Sequence, residues 1–179
     1  MIAIRDARQE EFAAIGELMV RVYAGLPGFP GPDEQPAYYS MLANVGALTE
    51  RPGVDLVVAE HEVFGLVGAV VFIADMKHYG SGGTATQERD ACGFRLLAVD
   101  PGARGLGIGR RLTQACIDRV QQLCRSKLVI HTTDSMRVAW GMYERMGFKR
   151  TEDLDFLQGE LPVFGFRLRT DTAGGKRDE

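Results

Sequence analysis

The chain has 179 residues, 45% of them hydrophobic and 25% charged, with a formal net charge of −3. That length fits one domain, residues 1–169, able to bury a core without disulfide or metal staples. The acidic balance argues against a general nucleic-acid binder, and no apolar run reaches the roughly 20 residues that span a bilayer.

Ile2 and Ile4 read as a short first strand. Asp6 and Gln9 have the spacing of a capping box, and Phe12, Ile15, Leu18, Met19 and Val22 follow at helical period to near Tyr23. The first residues lack a basic segment followed by an apolar one, so no signal peptide is expected. AGLPGFPGPDEQP is a loop long enough to border a site, and residues 36–48 predict a second helix. Residues 54–60 and 63–76 predict a hairpin whose second strand is central. The Gly-, Ser- and Thr-rich run 78–90 predicts a mobile connection.

Residues 93–99 (GFRLLAV) predict a strand. Ile108, Leu112, Ala115, Cys116, Val120 and Leu123 then repeat at helical spacing. Residues 127–131 predict another strand. Asp134 or Ser135 can cap a helix carrying Ala139, Met142, Tyr143 and Met146, which Gly147 stops. Late strands are expected over 148–156 and 163–169, and a disordered polar tail over 170–179. The hairpin implies antiparallel pairing and the later strand–helix–strand unit a parallel crossover. The expected class is therefore α/β (α+β), a mixed sheet with helices on its faces. Cys92, Cys116 and Cys124 are odd in number and lack CxxC spacing. They read as buried, reduced thiols rather than a disulfide or metal site, which favours a reducing, cytoplasmic setting.

The stretch VDPGARGLGIGRRL sits between the 93–99 strand and the next helix. A Gly-rich turn entering a helix aims free backbone N–H groups at one point, and the helix dipole adds partial positive charge. Arg104, Arg110 and Arg111 add cationic groups. A phosphate or pyrophosphate ligand follows from these features, and so does the alternative of a turn that is Gly-rich only for packing. A phosphate loop ending in GK[ST] is absent, and the spacing of Gly105, Gly107 and Gly109 does not match G-x-G-x-x-G.

Arg104–Gly109 fits R/Q-x-x-G-x-G/A, and residues 136–148 (MRVAWGMYERMGF) fit A-x-x-x-Y-E-x-x-G-F. With these two signatures the chain resembles the GNAT superfamily of acyl-CoA-dependent N-acetyltransferases. The resemblance covers roughly residues 2–169 and is strongest over 94–148. It implies a mixed, mostly antiparallel central sheet with helices on both faces. It implies acetyl-CoA as co-substrate, with its pyrophosphate on Arg104, Gly105, Leu106, Gly107, Ile108, Gly109 and Arg110. The pantetheine arm would lie along Leu97, Ala98 and Val99 where the strand splays from its neighbour, and the N–H near Val99 would polarise the thioester carbonyl. Tyr143 would be the general acid for the departing thiolate. The family often carries Asn seven residues before that tyrosine; here the position is Met136, with Asp134 or Ser135 as substitutes.

The strand has no carboxylate and Arg95 is its only charge, so the general base is sought among Glu60, Asp75, Glu88, Asp90 and His131. His131, at a strand end and with an imidazole pKa, is the chosen candidate. Tyr23, Phe29, Tyr38 and Tyr39 are candidates for an aromatic acceptor pocket, and Asp33 and Glu34 for attracting a cation. The expected reaction is acetyl transfer to a primary amine of a small or amino-acid-like molecule, without metal, nucleic acid or membrane. The alternatives are a non-catalytic acyl-CoA sensor and a protein N-terminal or lysine acetyltransferase. A homodimer stays open, since late strands of this fold often pair between subunits.

Overall fold

A computed structural model describes residues 1–170 of the chain. The strands are β1 (Ile2–Asp6), β2 (Val54–His61), β3 (Gly65–Ile73), β4 (Ala91–Val99), β5 (Lys127–Thr132), β6 (Lys149–Arg150), β7 (Phe156–Gln158) and β8 (Leu161–Arg169). The helices are α1 (Phe12–Ala24), α2 (Pro36–Ala43), α3 (Ile108–Gln122) and α4 (Arg137–Arg145). The strands order β1-β2-β3-β4-β5-β8-β6, with β7 paired to β8. Among the described residues only β4 and β5 pair in parallel, across α3; the other neighbours are antiparallel. The mixed, mostly antiparallel sheet expected from the sequence is therefore observed.

The period-2 alternation of the central strands feeds two cores. Leu56, Val58, Ala69, Val71 and Ile73 face α1 and α2, against Ile15, Met19, Tyr23, Tyr39 and Leu42. Val57, Ala59, Val70 and Phe72 face the other way, against Ile108, Leu112, Cys116 and Val120 of α3. Strands buried on both faces read as continuous apolar runs because each face has its own helical cover.

Several local expectations are corrected. Asp6 does not cap α1; the Glu11 carboxylate accepts the Arg8 N–H at 2.8 Å instead, while Asp6 pairs with Arg119 of α3. The second helix ends at Ala43, and 45–50 continue as a 3-10 turn. The run 78–90 is packed rather than loose: Tyr79 and Ala85 are buried in the first core. Gly93 permits this, since a Cβ there would stand 2.7 Å from the Tyr79 ring. The cap of α4 is Met136, without a side-chain bond, and Asp134 pairs with Arg137. The strand expected over 148–156 is broken into β6, a 3-10 turn over 152–154 and β7. All three cysteines are free, but Cys124 is exposed at the end of α3 rather than buried. Of the expected tail, Thr170 is buried and bonded to Arg125 and Ser126; residues 171–179 lie outside the described residues. No helix among the described residues is long and apolar enough to cross a membrane.

Candidate active site

β4 and β5 pair only from Ala91–Gly93 to Lys127–Val129 and then separate. On the β3 side, Val71 faces Arg95 while Ala69 faces Ala98, so β4 carries one extra residue there. Leu96 takes φ +59 at this bulge, a left-handed conformation costing a leucine roughly 1–2 kcal/mol. Beyond the bulge, one edge of β4 faces an open wedge. The Asp100 N–H bonds the Val67 carbonyl at 2.8 Å, so by antiparallel alternation the N–H groups of Leu97 and Val99 point away from β3. The Tyr23 hydroxyl confirms this phase by reaching the Leu97 carbonyl from the wedge side at 3.1 Å.

The glycine turn closes one end of the wedge. Gly105 and Gly107 have φ of +83 and +73, and a Cβ on either would meet nothing within 4 Å. Glycine is needed there for the backbone conformation and leaves its outer side bare. Gly107 caps α3, whose first bonded N–H is that of Arg111, to the Gly107 carbonyl at 3.0 Å. The N–H groups of Ile108, Gly109 and Arg110 have no acceptor within the helix. Arg104, Arg110 and Arg111 are exposed, and no carboxylate pairs with them among the described residues. A Cβ on Gly109 would lie 3.5 Å from Met142 Sδ of α4 and 3.7 Å from Val99 Cγ2. The turn, the end of β4 and α4 thus meet at one place.

At the other end is a cleft of about 480 Å³ including its open mouth. Tyr23, Phe29 and Tyr38 wall one side; Arg95, Leu96, His131, Thr132 and Thr133 wall the other. The Phe29 ring lies 5.7 Å from Tyr23 and 5.9 Å from Tyr38. Burial pushes the Tyr38 phenol up to about 12. Three of the four expected aromatics therefore form the wall. Tyr39 is turned away, donating to the Pro30 carbonyl at 2.8 Å. Glu34 accepts the Gly31 N–H within its own loop, and Asp33 does not line the cleft.

His131 lines the cleft but both ring nitrogens are bound. Nε2 lies 2.8 Å from the Leu154 carbonyl, which can only accept, so Nε2 carries the proton. Nδ1 then accepts from the Tyr79 hydroxyl at 2.9 Å. Burial, the largest cause, holds the imidazole pKa below its ordinary value, and Arg95 adds to the effect. The ring is therefore neutral at neutral pH.

The other base candidates lie elsewhere. Glu60 is bonded to Arg5 near β1, and Asp75 accepts the Lys77 N–H after β3. Glu88 is held by Lys127 and Arg167; burial raises its pKa, but the two cations outweigh this and hold it low. Asp90 precedes β4, at the end away from Val99. Among the described residues no Asp or Glu lines the cleft.

Tyr143 does not line the cleft. It is 4% exposed within the α3 core, its ring 5.9 Å from Phe94 and 5.5 Å from Phe148. Burial raises its phenol pKa far above the usual value, with Cys116 and Tyr79 adding to the shift. Met136 lines the cleft beside Thr133, whose carbonyl accepts its N–H.

Sequence reasoning passed over Tyr79, Thr132, Thr133 and Gln158. A lone tyrosine in a Gly-rich run and two threonines after a strand carry no motif. Arg95 had a signal, as a charge inside an apolar strand, but no assigned role.

The GNAT acetyltransferase family model matches residues 7–148. The chain belongs to the GNAT acetyltransferase family. Its sequence is 23% identical over 128 residues to the uncharacterized N-acetyltransferase YjgM of Escherichia coli K12, covering 69% of this chain and 73% of that one. It is 34% identical over 55 residues to mycothiol acetyltransferase of Geodermatophilus obscurus, covering 31% of this chain and only 18% of that protein. A GNAT acetyltransferase from Staphylococcus aureus Mu50 superimposes with a TM-score of 0.72 at 17% identity, over 95% of this chain and 99% of that one. YncA of Salmonella typhimurium, solved with its cofactor acetyl-CoA, gives 0.63 at 20% identity over 96% and 95%.

Proposed function

We propose that the protein transfers an acetyl group from acetyl-CoA to a primary amine of a small, amino-acid-like molecule. The observation that carries this reading is the continuity of three features. A bare anion cradle at 104–110 meets an unpaired β4 edge at Val99, and that edge leads into the aromatic-walled cleft. The cradle fits a pyrophosphate: free N–H groups, a helix N-terminus and three unpaired arginines surround open space. The β4 edge offers the alternating donors and acceptors that an amide-bearing arm needs.

When bound, acetyl-CoA supplies an activated acyl carbon, to which the amine nitrogen bonds as the carbon–sulfur bond breaks. The Val99 N–H faces the wedge and serves as donor to the negative charge that grows on the carbonyl oxygen. Tyr143 is kept protonated by burial and gives its proton to the departing sulfur. Its raised pKa suits this only because the same dry surroundings raise the basicity of a thiolate as well. His131 is the proton acceptor, reached through Tyr79. The phenol takes the proton from the amine as its own passes to Nδ1, and the Leu154 carbonyl holds the ring in the receptive tautomer.

Gln158 Nε2 donates to Gln35 Oε1 at 2.7 Å, tying β7 to the start of α2 beside the cleft. This bridge supports a small acceptor over a polypeptide. A thermal-shift comparison of acetyl-CoA, ATP and NAD tests the cofactor half, since a ligand preferring the native state raises its stability. Acetyl-CoA is expected to raise the melting temperature. A shift with ATP or NAD and none with acetyl-CoA would overturn the reading.

A further inference from the structure

Arg95 lines the cleft and has no acidic partner among the described residues. Its Nη1 donates to the Tyr79 backbone carbonyl at 3.1 Å. Its Nε and Nη2 donate to no atom of the described residues, and no carboxylate lies within ion-pair distance. Among the described residues the cleft lining contains no Asp or Glu.

A second guanidinium is brought alongside. A Cβ on Gly80, which has φ +70, would stand 3.1 Å from Arg51 Nη1 and 3.2 Å from Arg95 Nη1. Arg51 also lacks a carboxylate partner among the described residues, and it lines with Arg95 a smaller cavity behind the cleft wall. Arg51 is exposed and Arg95 half-buried, and two like charges held this close repel one another less when an anion joins them. The cleft lining also includes Thr133, 4% exposed, whose hydroxyl is buried without a hydrogen-bond partner among the described residues. A buried polar group left unpaired costs free energy, and one beside the cleft points to a polar guest.

We propose that the acceptor carries a carboxylate beside its amine, and that the free Nε–Nη2 edge of Arg95 binds this carboxylate in two parallel hydrogen bonds. The planar edge matches a planar carboxylate. Arg51 reinforces the positive potential, and Thr133 offers a hydroxyl to the remaining polar atoms. Tyr23, Phe29 and Tyr38 face an apolar side group. Arg95 directly precedes Leu96, where β4 turns its open edge to the wedge. A carboxylate anchored there holds the amine one carbon away, near that edge. The inference rests on the acetyl-transfer reading for the reaction and adds the acceptor's class.

The test uses leucine, methionine and phenylalanine, each as free acid, amide and decarboxylated amine. Thiol release from acetyl-CoA and thermal shift in the presence of CoA are read for wild type, Arg95→Gln and Arg95→Lys. The free acids are expected to be preferred about tenfold to a hundredfold. Arg95→Gln is expected to erase that preference through KM, and Arg95→Lys to restore part of it. The acetyl-CoA thermal shift is expected to stay unchanged in both variants, showing that they fold. Amides or decarboxylated amines that match the acids would overturn the proposal. So would an undiminished preference in Arg95→Gln, or free acids that neither bind nor react. These outcomes leave acetyl transfer standing. A wild type that does not bind acetyl-CoA would overturn acetyl transfer itself, and the carboxylate proposal with it.

Discussion

The turn at 104–110 offers a ligand mainly backbone N–H groups, whereas the cleft around Arg95 and His131 offers side chains. In the first, glycines serve by having nothing to place: positions 105 and 107 have left-handed φ and bare surroundings. In the second, each group is held by another, Tyr79 on His131, Leu154 on His131, and Arg95 on the Tyr79 backbone. A backbone site tolerates changes in most neighbouring side chains but not in its glycines. A side-chain site can be retuned one residue at a time while the fold and the cradle persist.

Breaking the backbone half has the largest expected effect. Gly107→Val forces a β-branched residue into a left-handed conformation, costing roughly 1–2 kcal/mol of stability. It also covers the cradle, so acetyl-CoA affinity by calorimetry is expected to fall about a hundredfold or more. If affinity stays within a few-fold of wild type, the cradle is not the phosphate site.

Tyr143→Phe comes next. Loss of a general acid is expected to lower kcat by about a hundredfold, with little change in KM for acetyl-CoA, because the ring keeps its packing on Phe94 and Phe148. An equal rise in KM would make Tyr143 a binding residue instead.

Tyr79→Phe tests the side-chain half. It leaves His131 Nδ1 buried without a donor, at a cost of roughly 1–3 kcal/mol of stability by urea unfolding. It also removes the proposed relay, so kcat is expected to fall about tenfold or more. The pH dependence carries a sign. A histidine whose folded pKa is depressed contributes stability that is present above its unfolded pKa, about 6.5, and is lost as pH falls through the folded pKa. kcat/KM is expected to fall on the same acid side as His131 protonates, and His131→Gln to remove that limb. A limb unmoved by His131→Gln would assign the base elsewhere.

The smallest effect belongs to the exposed cations. Arg104→Ala is expected to weaken acetyl-CoA binding only about two- to fivefold, as for a solvated ion pair, and the difference to shrink at high salt.

The same contrast explains what was legible in the sequence. The β4–α3–β5–α4 order and the turn could be read because glycine spacing and apolar period state backbone requirements directly. The bulge at Leu96 could not, since a leucine with positive φ is imposed by the pairing of β3 and β4 and by no local preference. His131 was legible as a residue near the site, but its locked tautomer depends on Tyr79, 52 positions away in the chain, and on the turn carrying Leu154. The run 78–90 was misread because its composition is that of a loose loop, while its burial comes from the space that Gly93 leaves for Tyr79. Asp33 and Glu34 were placed by charge alone, and their loop turns Glu34 onto its own backbone.

The most direct measurement is CoA thiol release from acetyl-CoA on addition of a panel of primary amines, with wild type and Tyr143→Phe side by side. Acetyl transfer predicts release that depends on the amine, saturates with it, and drops about a hundredfold in Tyr143→Phe. Acetyl-CoA that binds and raises the melting temperature, yet is never consumed with any amine, would contradict it and make the protein an acyl-CoA sensor.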